Sequence, residues 1–242
     1  MQPTKLLYLE NFTQLEAPAQ VLDITEENGK TVVILDQTVF YPQGGGQPFD
    51  TGIITGKNGT FIVEEVRFVD GMVKHIGIIS DGNFQTEEKV HCSVEQRTRT
   101  INSRIHSAGH VVDMAVYALK LNWIPGKGYH FPDGPYVEYS GNIDAQNKES
   151  MQKDIERIAN EFVQENRETK LVFMEKEKMH KVCHFVPDYL PENKPARVVM
   201  YGDFGIPCGG THVSNLGEIG RITIRKIKIK GDVIRVSYSV AS

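Results

Sequence analysis

The spacing of hydrophobic residues divides the chain into two parts. Up to about residue 90, short apolar runs are separated by turn dipeptides at Asn28-Gly29, Asn58-Gly59 and Asp70-Gly71. Dipeptides of this kind between apolar runs are typical of β-hairpins. Residues 1–90 are therefore predicted to form a small β-barrel or sandwich, with a domain boundary near residue 90.

From Val94 onward the apolar residues follow the period of an α-helix. They recur three or four positions apart, at Ile101, Ile105, Ala108, Val112, Ala115 and Leu119, and so share one helix face. A second helix is predicted at about 148–167, followed by strands at 171–176, 196–202, 219–230 and 233–240. Residues 91–242 are thus expected to form an α+β domain, with an antiparallel sheet packed on helices.

The composition is that of an ordinary globular protein, with 40% hydrophobic and 24% charged residues. No apolar stretch is long enough for a membrane span, and acidic residues come too early for a secretory signal. A cytoplasmic location is therefore expected. Three widely spaced cysteines favour reduced thiols over a disulfide framework.

The net charge of −4 argues against a protein that coats nucleic acid through an overall positive field. Residues 220–235 are nevertheless rich in Lys and Arg, with one acid, Asp232. Charge alone leaves two interpretations open for this segment. It is either a nucleic-acid-binding face or a set of lysines that protect a sheet edge.

Two pairs of residues have the chemistry of metal ligands. His106 and His110 lie four residues apart in the predicted helix, so both imidazoles project from one face. Cys208 and His212 flank Gly209-Gly210-Thr211, a segment that can turn tightly. Together they offer three nitrogens and one thiolate, a complete tetrahedral set for zinc.

The spacing of His106 and His110 is by itself weak evidence for a metal site. The pair at 106 and 110 also fits a helix face that carries two histidines by chance. The absence of Glu at position 107 excludes the H-E-x-x-H motif and disfavours a metalloprotease. The remaining histidines have no comparable partner in the sequence and are interpreted as structural or surface residues; they are His75, His91, His130, His180 and His184.

A third motif, Y-P-Q-G-G-G-Q-P-F-D-T-G, lies at residues 41–52. Successive glycines are conformationally costly, so a folded domain keeps them where φ is positive or where a ligand approaches the backbone. A mobile loop is the alternative. The motif has neither the Lys-Ser/Thr of a P-loop nor the G-x-G-x-x-G spacing, which disfavours nucleotide phosphates bound in those ways.

In their order along the chain, these motifs resemble the alanyl-tRNA editing family. The matching stretches are FYPQGGGQPFDTG (40–52), SRIHSAGH (103–110) and CGGTHVSNLGEIGRITIRKIKIKGDVIRVSY (208–238). The family comprises the trans-acting AlaX proteins and the editing domain of alanyl-tRNA synthetase. The resemblance extends over nearly the whole chain and implies an arrangement similar to the medium-length AlaX class.

The resemblance implies a fold, an activity and a cofactor. The fold is α+β, with an N-terminal small β-barrel at 1–90 carrying the glycine-rich motif (Gly44, Gly45, Gly46, Gln47 and Asp50). A zinc-binding editing domain follows at 91–242, with His106, His110, Cys208 and His212 as ligands. The implied activity is hydrolysis of tRNA(Ala) mischarged with serine, with glycine as the second candidate. No ATP site or aminoacylation motif is visible, so the chain is expected to remove amino acids.

Several roles stay open at this level. Four protein ligands leave zinc no open position, so the ion either holds the site together or exchanges one ligand for water or substrate. Thr211 and Gln47 are the candidates for polar contact with the substrate. Basic residues expected to meet tRNA phosphates are Arg99, Arg104, Arg225, Lys226, Lys228, Lys230 and Arg235. The alternatives are a non-catalytic tRNA-binding module with a structural zinc, or a zinc hydrolase of small esters or amides.

Overall fold

Six strands of the N-terminal part close into an antiparallel barrel. The structure, a computed structural model, describes residues 2–143 and 147–241. The barrel strands are β2 (Glu16–Glu27), β3 (Lys30–Leu35), β5 (Gly52–Thr55), β6 (Gly59–Val69), β7 (Met72–Gly82) and β8 (Lys89–Val94). They lie in the order β2-β3-β7-β6-β5-β8. Before them come β1 (Lys5–Leu6) and the short helix α1 (Leu7–Glu10), and β1 pairs in parallel with β4 (Gln37–Thr38).

Two of the predicted turn dipeptides form the tight hairpins of the barrel. Asn28 and Gly29 join β2 to β3 with φ of 52° and 76°, and Asp70 and Gly71 join β6 to β7 with φ of 49° and 83°. Positive φ at both central residues gives a turn whose twist matches that of the flanking strands. The inward side chains, including Val33, Leu35, Phe61 and Val63, are buried in a continuous apolar core.

The C-terminal part contains two antiparallel sheets and the longer helices. Its helices are α2 (Gln96–Ala118), α3 (Lys148–Glu165), α4 (Lys176–Met179) and a 3-10 helix (Leu216–Ile219). Its strands are β9 (Ile124–Tyr129), β10 (Tyr136–Ser140), β11 (Thr169–Met174), β12 (Ala196–Tyr201), β13 (Phe204–Pro207), β14 (Ile222–Lys230) and β15 (Val233–Val240). One sheet has the order β14-β15-β10-β9, and the other β11-β12-β13.

Helix α3 covers the outer edge of β14 with polar side chains. Asn160 exchanges two hydrogen bonds with the backbone of Ile222, at 3.0 and 2.7 Å. Glu156 accepts from the Ile224 N–H at 2.8 Å, and Gln152 donates to the Ile224 carbonyl at 2.7 Å. These bonds satisfy backbone groups that an edge strand would otherwise leave open for pairing with another chain.

The predicted fold class is confirmed, since an N-terminal barrel precedes helices and antiparallel sheets. The chain divides into two compact units, Met1–Ile101 and Asn102–Ser242. The predicted boundary near residue 90 falls inside β8, which belongs to the closed barrel, so the division lies further along the chain, within α2. Among the described residues, no helix combines the length and the apolar character needed to cross a membrane.

Candidate metal centre

The structure brings the four predicted ligand residues together in the C-terminal unit. His106 and His110 lie one turn apart on α2, with ring centroids 4.9 Å from each other. The ring of His212 lies 4.7 Å from that of His106 and 4.6 Å from that of His110. Cys208 Sγ is 3.5 Å from His106 Nε2, and the candidate ligand atoms all lie within 4.8 Å of one another. The cluster has the donor types and spacing of a metal site.

A buried arginine holds the loop that carries Cys208. Arg197 on β12 donates from Nε to the Cys208 carbonyl oxygen at 2.7 Å and from Nη2 to the Gly210 carbonyl oxygen. The Gly210 N–H in turn donates to Cys208 Sγ at 3.3 Å. Because the loop bends back on itself, its carbonyls converge on one guanidinium and its thiol faces the histidines.

Hydroxyl groups orient the imidazoles from behind. Tyr201 Oη lies 3.4 Å from His110 Nδ1 and 3.3 Å from His212 Nδ1. Ser107 Oγ lies 3.2 Å from His212 Nδ1 and accepts the Val213 N–H at 3.1 Å. Hydrogen bonds to Nδ1 leave Nε2 of His110 and His212 as the nitrogens for a metal, as is usual for metal-binding histidines.

Burial sets the protonation of the cluster. It lowers the pKa of His106, His110 and His212 well below the ordinary value, with further lowering by neighbouring positive charge. The imidazoles are therefore neutral at physiological pH, as metal binding requires. Burial raises the pKa of the Cys208 thiol, and the Arg197 charge counteracts that rise. A bound cation would supply the remaining charge needed to stabilise the thiolate.

His130 also belongs to this site, although its sequence context did not indicate it. Its ring is buried and stacks on that of His106, with centroids 4.4 Å apart and planes 18° from parallel. Burial lowers its pKa to about 4. The only signal in the sequence is that His130 lies between the aromatic residues Tyr129 and Phe131. In an extended segment, successive side chains point to opposite faces, so His130 points away from its two aromatic neighbours.

The two predicted polar contacts lie in different units. Thr211 is fully buried beside the metal cluster, and its hydroxyl lies 2.8 Å from Ser103 Oγ. Gln47 is fully buried in the N-terminal unit, where its backbone exchanges hydrogen bonds with Gly44 across a tight turn. Gly45 and Gly46 occupy that turn with φ of 53° and 78°, the positive values for which the sequence keeps glycine.

Asp50 and Arg99 form a buried ion pair in the N-terminal unit. Arg99 donates to both carboxylate oxygens of Asp50 and to the carbonyls of Phe12 and Val39. Only 3% of the Arg99 surface is exposed. The expectation that Arg99 meets tRNA phosphates therefore does not fit its position, because its donors serve the barrel.

The other predicted basic residues differ in their surroundings. Arg104 donates to the Ile219 and Ala241 carbonyls, and Arg225 donates to the Pro135 carbonyl. Arg235 pairs with Glu138. The lysines at 226, 228 and 230 are exposed along β14. Among the predicted basic residues, the exposed lysines thus lie together on β14.

Two family matches and several relatives agree with this architecture. Residues 5–98 match the family described as tRNA synthetases class II (A). Residues 196–235 match the family described as Threonyl and Alanyl tRNA synthetase second additional domain. The second match contains Arg197, Tyr201, Cys208 and His212, which are four of the residues that build the candidate metal centre.

The chain is similar to alanine–tRNA ligases over nearly its whole length. It is 32% identical to that of Halobacterium salinarum over 99% of this chain and 26% of the relative. It is 30% identical to the ligase of Methanobrevibacter smithii, over 99% of this chain and 27% of the relative. It is also 30% identical to the ligase of Nitrosomonas europaea, over 90% of this chain and 26% of the relative. The chain spans about a quarter of the length of these relatives. The chain is therefore homologous, over nearly its full length, to the editing region of the alanyl-tRNA synthetases, and this fits an AlaX-type protein.

Proposed function

We propose that the chain hydrolyses the ester bond of tRNA(Ala) mischarged with serine, with glycine as the second aminoacyl group. The main observation behind this proposal is a cluster of four residues with metal-ligand chemistry, His106, His110, Cys208 and His212. Part of the same unit matches the second additional domain of threonyl and alanyl tRNA synthetases. The relatives are alanine–tRNA ligases, which supports tRNA(Ala) as the carrier. The products are the free amino acid and intact tRNA.

The donor set supports zinc as the metal. Three imidazoles and one thiolate are ligands that zinc accepts in tetrahedral sites. When bound, zinc supplies a Lewis acid and a positive charge at the centre of the site. Because four protein residues fill a tetrahedral shell, we assign the cluster first to orienting the aminoacyl group between α2 and the loop that contains Cys208 and His212.

The outer face of the four-stranded sheet supports contact with RNA. Lys228 on β14 lies in register with Arg235 on β15, and Lys226 lies in register with Ser237. The opposite face, which includes Ile227, Ile234 and Val236, is buried. The positive side chains therefore share one exposed surface, where they can meet phosphates. We include Lys226, Lys228, Lys230, Arg225 and Arg235 in this surface.

A stack of planar groups lies beside these lysines. Phe131 and Tyr136 flank Tyr129 with ring centroids 4.6 and 5.2 Å away, both 15° from parallel. The Arg235 guanidinium lies 4.0 Å from the Tyr136 ring centroid. Aromatic and arginine planes combined with lysines are used by RNA-binding surfaces for bases and phosphates. This combination favours RNA binding over simple protection of a sheet edge.

Selection of serine needs a polar group that pairs with its hydroxyl. A site left with an unpaired polar group rejects alanine, whereas size cannot exclude the smaller residue. Thr211 is placed beside the metal ligands and stays a candidate for polar contact with the aminoacyl group. We assign Gln47 to the turn in the N-terminal unit, where its backbone bonds lie.

Deacylation of three esters tests the proposed function. Purified protein is incubated with tRNA(Ala) charged with serine, glycine or alanine, with and without a chelator. The proposal predicts release of serine, slower release of glycine and little release of alanine. Cys208→Ala is expected to lose serine release, while Cys183→Ala, which removes a buried thiol outside the cluster, keeps it.

The alternatives give different results in the same assay. A non-catalytic tRNA-binding module would bind tRNA(Ala) and release none of the three amino acids. A hydrolase of small esters or amides would act on such compounds without competition from uncharged tRNA. Either result would remove the proposed function.

A further inference from the structure

His130 occupies a place that two glycines keep open between helix and strand. A Cβ atom on Gly109 of α2 would lie 2.4 Å from His130 Cε1, and one on Gly128 of β9 would lie 2.4 Å from His130 Nε2. Any side chain at either position would displace the imidazole. The ring can therefore lie flat against His106, at a centroid distance of 4.4 Å, only because both residues are glycine.

The hydrogen bonds of Tyr238 determine which nitrogen of His130 carries the proton. Tyr238 Oη lies 2.9 Å from the Ile105 carbonyl oxygen and 2.7 Å from His130 Nδ1. A carbonyl only accepts, so the single phenolic proton is donated to Ile105. The Tyr238 oxygen then accepts from Nδ1–H of His130. In the neutral ring, Nε2 consequently keeps its lone pair and acts as an acceptor.

Among the described residues, no group hydrogen-bonds to Nε2 of His130. Two hydroxyl groups beside the metal cluster are engaged, since Thr211 bonds to Ser103 and Tyr201 bonds to His110 and His212. Nε2 of His130 is not one of the fully buried atoms that lack a partner, so solvent reaches it although only 5% of the residue is exposed. A ligand that displaces this water must itself supply a donor, because an acceptor cut off from water without a partner costs free energy.

We propose that Nε2 of His130 accepts a hydrogen bond from the side-chain hydroxyl of the serine carried by the tRNA. This inference rests on the proposed deacylase function and names the residue that selects the aminoacyl group. Alanine and glycine have no hydroxyl, so with either of them Nε2 stays unpaired. The free-energy cost of an unpaired Nε2 therefore applies to the correctly charged Ala-tRNA(Ala). This cost disfavours alanine more strongly than a difference in side-chain size could.

Two substitutions separate the roles of the two ring nitrogens. His130→Asn places an amide near the position of Nδ1, so it keeps the bond to Tyr238 but removes the acceptor at Nε2. His130→Gln reaches the position of Nε2 with a carbonyl oxygen. The readout is the ratio of kcat/KM for serine over alanine esters. We expect His130→Asn to lower that ratio about tenfold to a hundredfold and His130→Gln to keep most of it.

Zinc content and a second polar residue serve as controls. Asn102 lies on α2 one turn before His106, and its Nδ2 is a buried atom without a hydrogen-bond partner. Asn102→Ala is expected to keep the wild-type ratio, and all three variants to keep wild-type zinc content. An unchanged ratio in His130→Asn would overturn the proposal. So would equal losses for both esters together with loss of zinc, because His130 would then only support His106.

Failure of the deacylase proposal is distinguishable from failure of this one. If the wild-type protein releases no serine, the function fails, and ring-nitrogen NMR of the zinc-loaded protein decides the role of His130. We expect the Nδ1–H tautomer and an Nε2 resonance that shifts with a non-hydrolysable seryl amide of adenosine but not with its alanyl counterpart. An Nε2–H tautomer, or the same response to both compounds, would overturn the assignment.

Discussion

Arg197 and Cys208 hold each other through their backbones and one side chain. Arg197 Nε donates to the Cys208 carbonyl oxygen at 2.7 Å, and the Cys208 N–H donates to the Arg197 carbonyl oxygen at 3.2 Å. A buried strand residue thus determines the shape of the loop that supplies two of the four candidate metal ligands.

Replacing Arg197 by Met is expected to weaken zinc binding about tenfold to a hundredfold, the usual cost of losing a partner behind a metal ligand. The pH of half-maximal binding should also rise, since Arg197 lowers the pKa of the Cys208 thiol and protons compete with metal. Titration against a competing chelator at several pH values measures both effects. The exposed Arg157→Met is the control, and equal affinities in the two variants would contradict the role of Arg197.

Removing the thiol of Cys208 should abolish stoichiometric zinc. Cys208→Ala leaves three imidazoles, whose affinity for zinc lacks the contribution of the thiolate. Metal analysis after dialysis is expected to give about one zinc per chain for the wild type and for Cys183→Ala, and much less for Cys208→Ala. Full zinc occupancy in Cys208→Ala would show that this residue is not a ligand.

Breaking the ion pair of Asp50 and Arg99 should destabilise the barrel. Asp50→Asn leaves the Arg99 guanidinium buried beside a neutral group, which typically costs about 3–5 kcal/mol in the free energy of unfolding. The exposed pair of Lys30 and Glu64 provides the comparison, and Glu64→Gln should cost no more than about 1 kcal/mol. Urea unfolding measures both values, and similar losses would contradict the structural role of the buried pair.

The burial of His75 is expected to cause a specific loss of stability in acid. Burial lowers its pKa to about 4 from the ordinary 6.5, so the unfolded chain binds the proton more readily. The contribution is therefore present above pH 6.5 and is lost as pH falls toward 4, by about 3 kcal/mol. Urea unfolding between pH 7 and 4 should show a smaller slope for His75→Gln than for the wild type. The exposed His91→Gln should keep the wild-type slope.

The basic face of β14 predicts salt-dependent binding of tRNA. Replacing Lys226 and Lys228 by Gln removes two charges that can release counterions from phosphates. The affinity for uncharged tRNA(Ala) should fall, and the slope of log affinity against log salt should become shallower by about two. Lys153→Gln, on α3, is the control. An unchanged slope in the double variant would exclude this face from the RNA contact.

Local patterns in the sequence predicted most of the helices and strands, and two pairs of residues with the chemistry of metal ligands. The helical period places His106 and His110 together, and the C-G-G-T-H turn brings Cys208 and His212 into one loop. Each pair depends only on residues a few positions apart, and the structure brings the two pairs into one cluster. The turns at Asn28-Gly29 and Asp70-Gly71 follow from the same kind of short-range information.

Residues that depend on distant partners were not predicted correctly. Arg99 has the position of an exposed helix charge, but its carboxylate partner Asp50 lies 49 residues away. Arg197 lies in an ordinary strand pattern, and no local feature indicates that it holds a loop. His130 is recognised as part of the site only through its stacking on His106, which depends on how β9 packs on α2.

The rate of serine release from Ser-tRNA(Ala) by the zinc-loaded protein tests the central claim most directly. We predict rapid release of serine and at least about a hundredfold slower release of alanine from Ala-tRNA(Ala). Removal of the metal should stop serine release, and added zinc should restore it. Equal rates for the two esters, or no release of serine by the zinc-loaded protein, would contradict the claim.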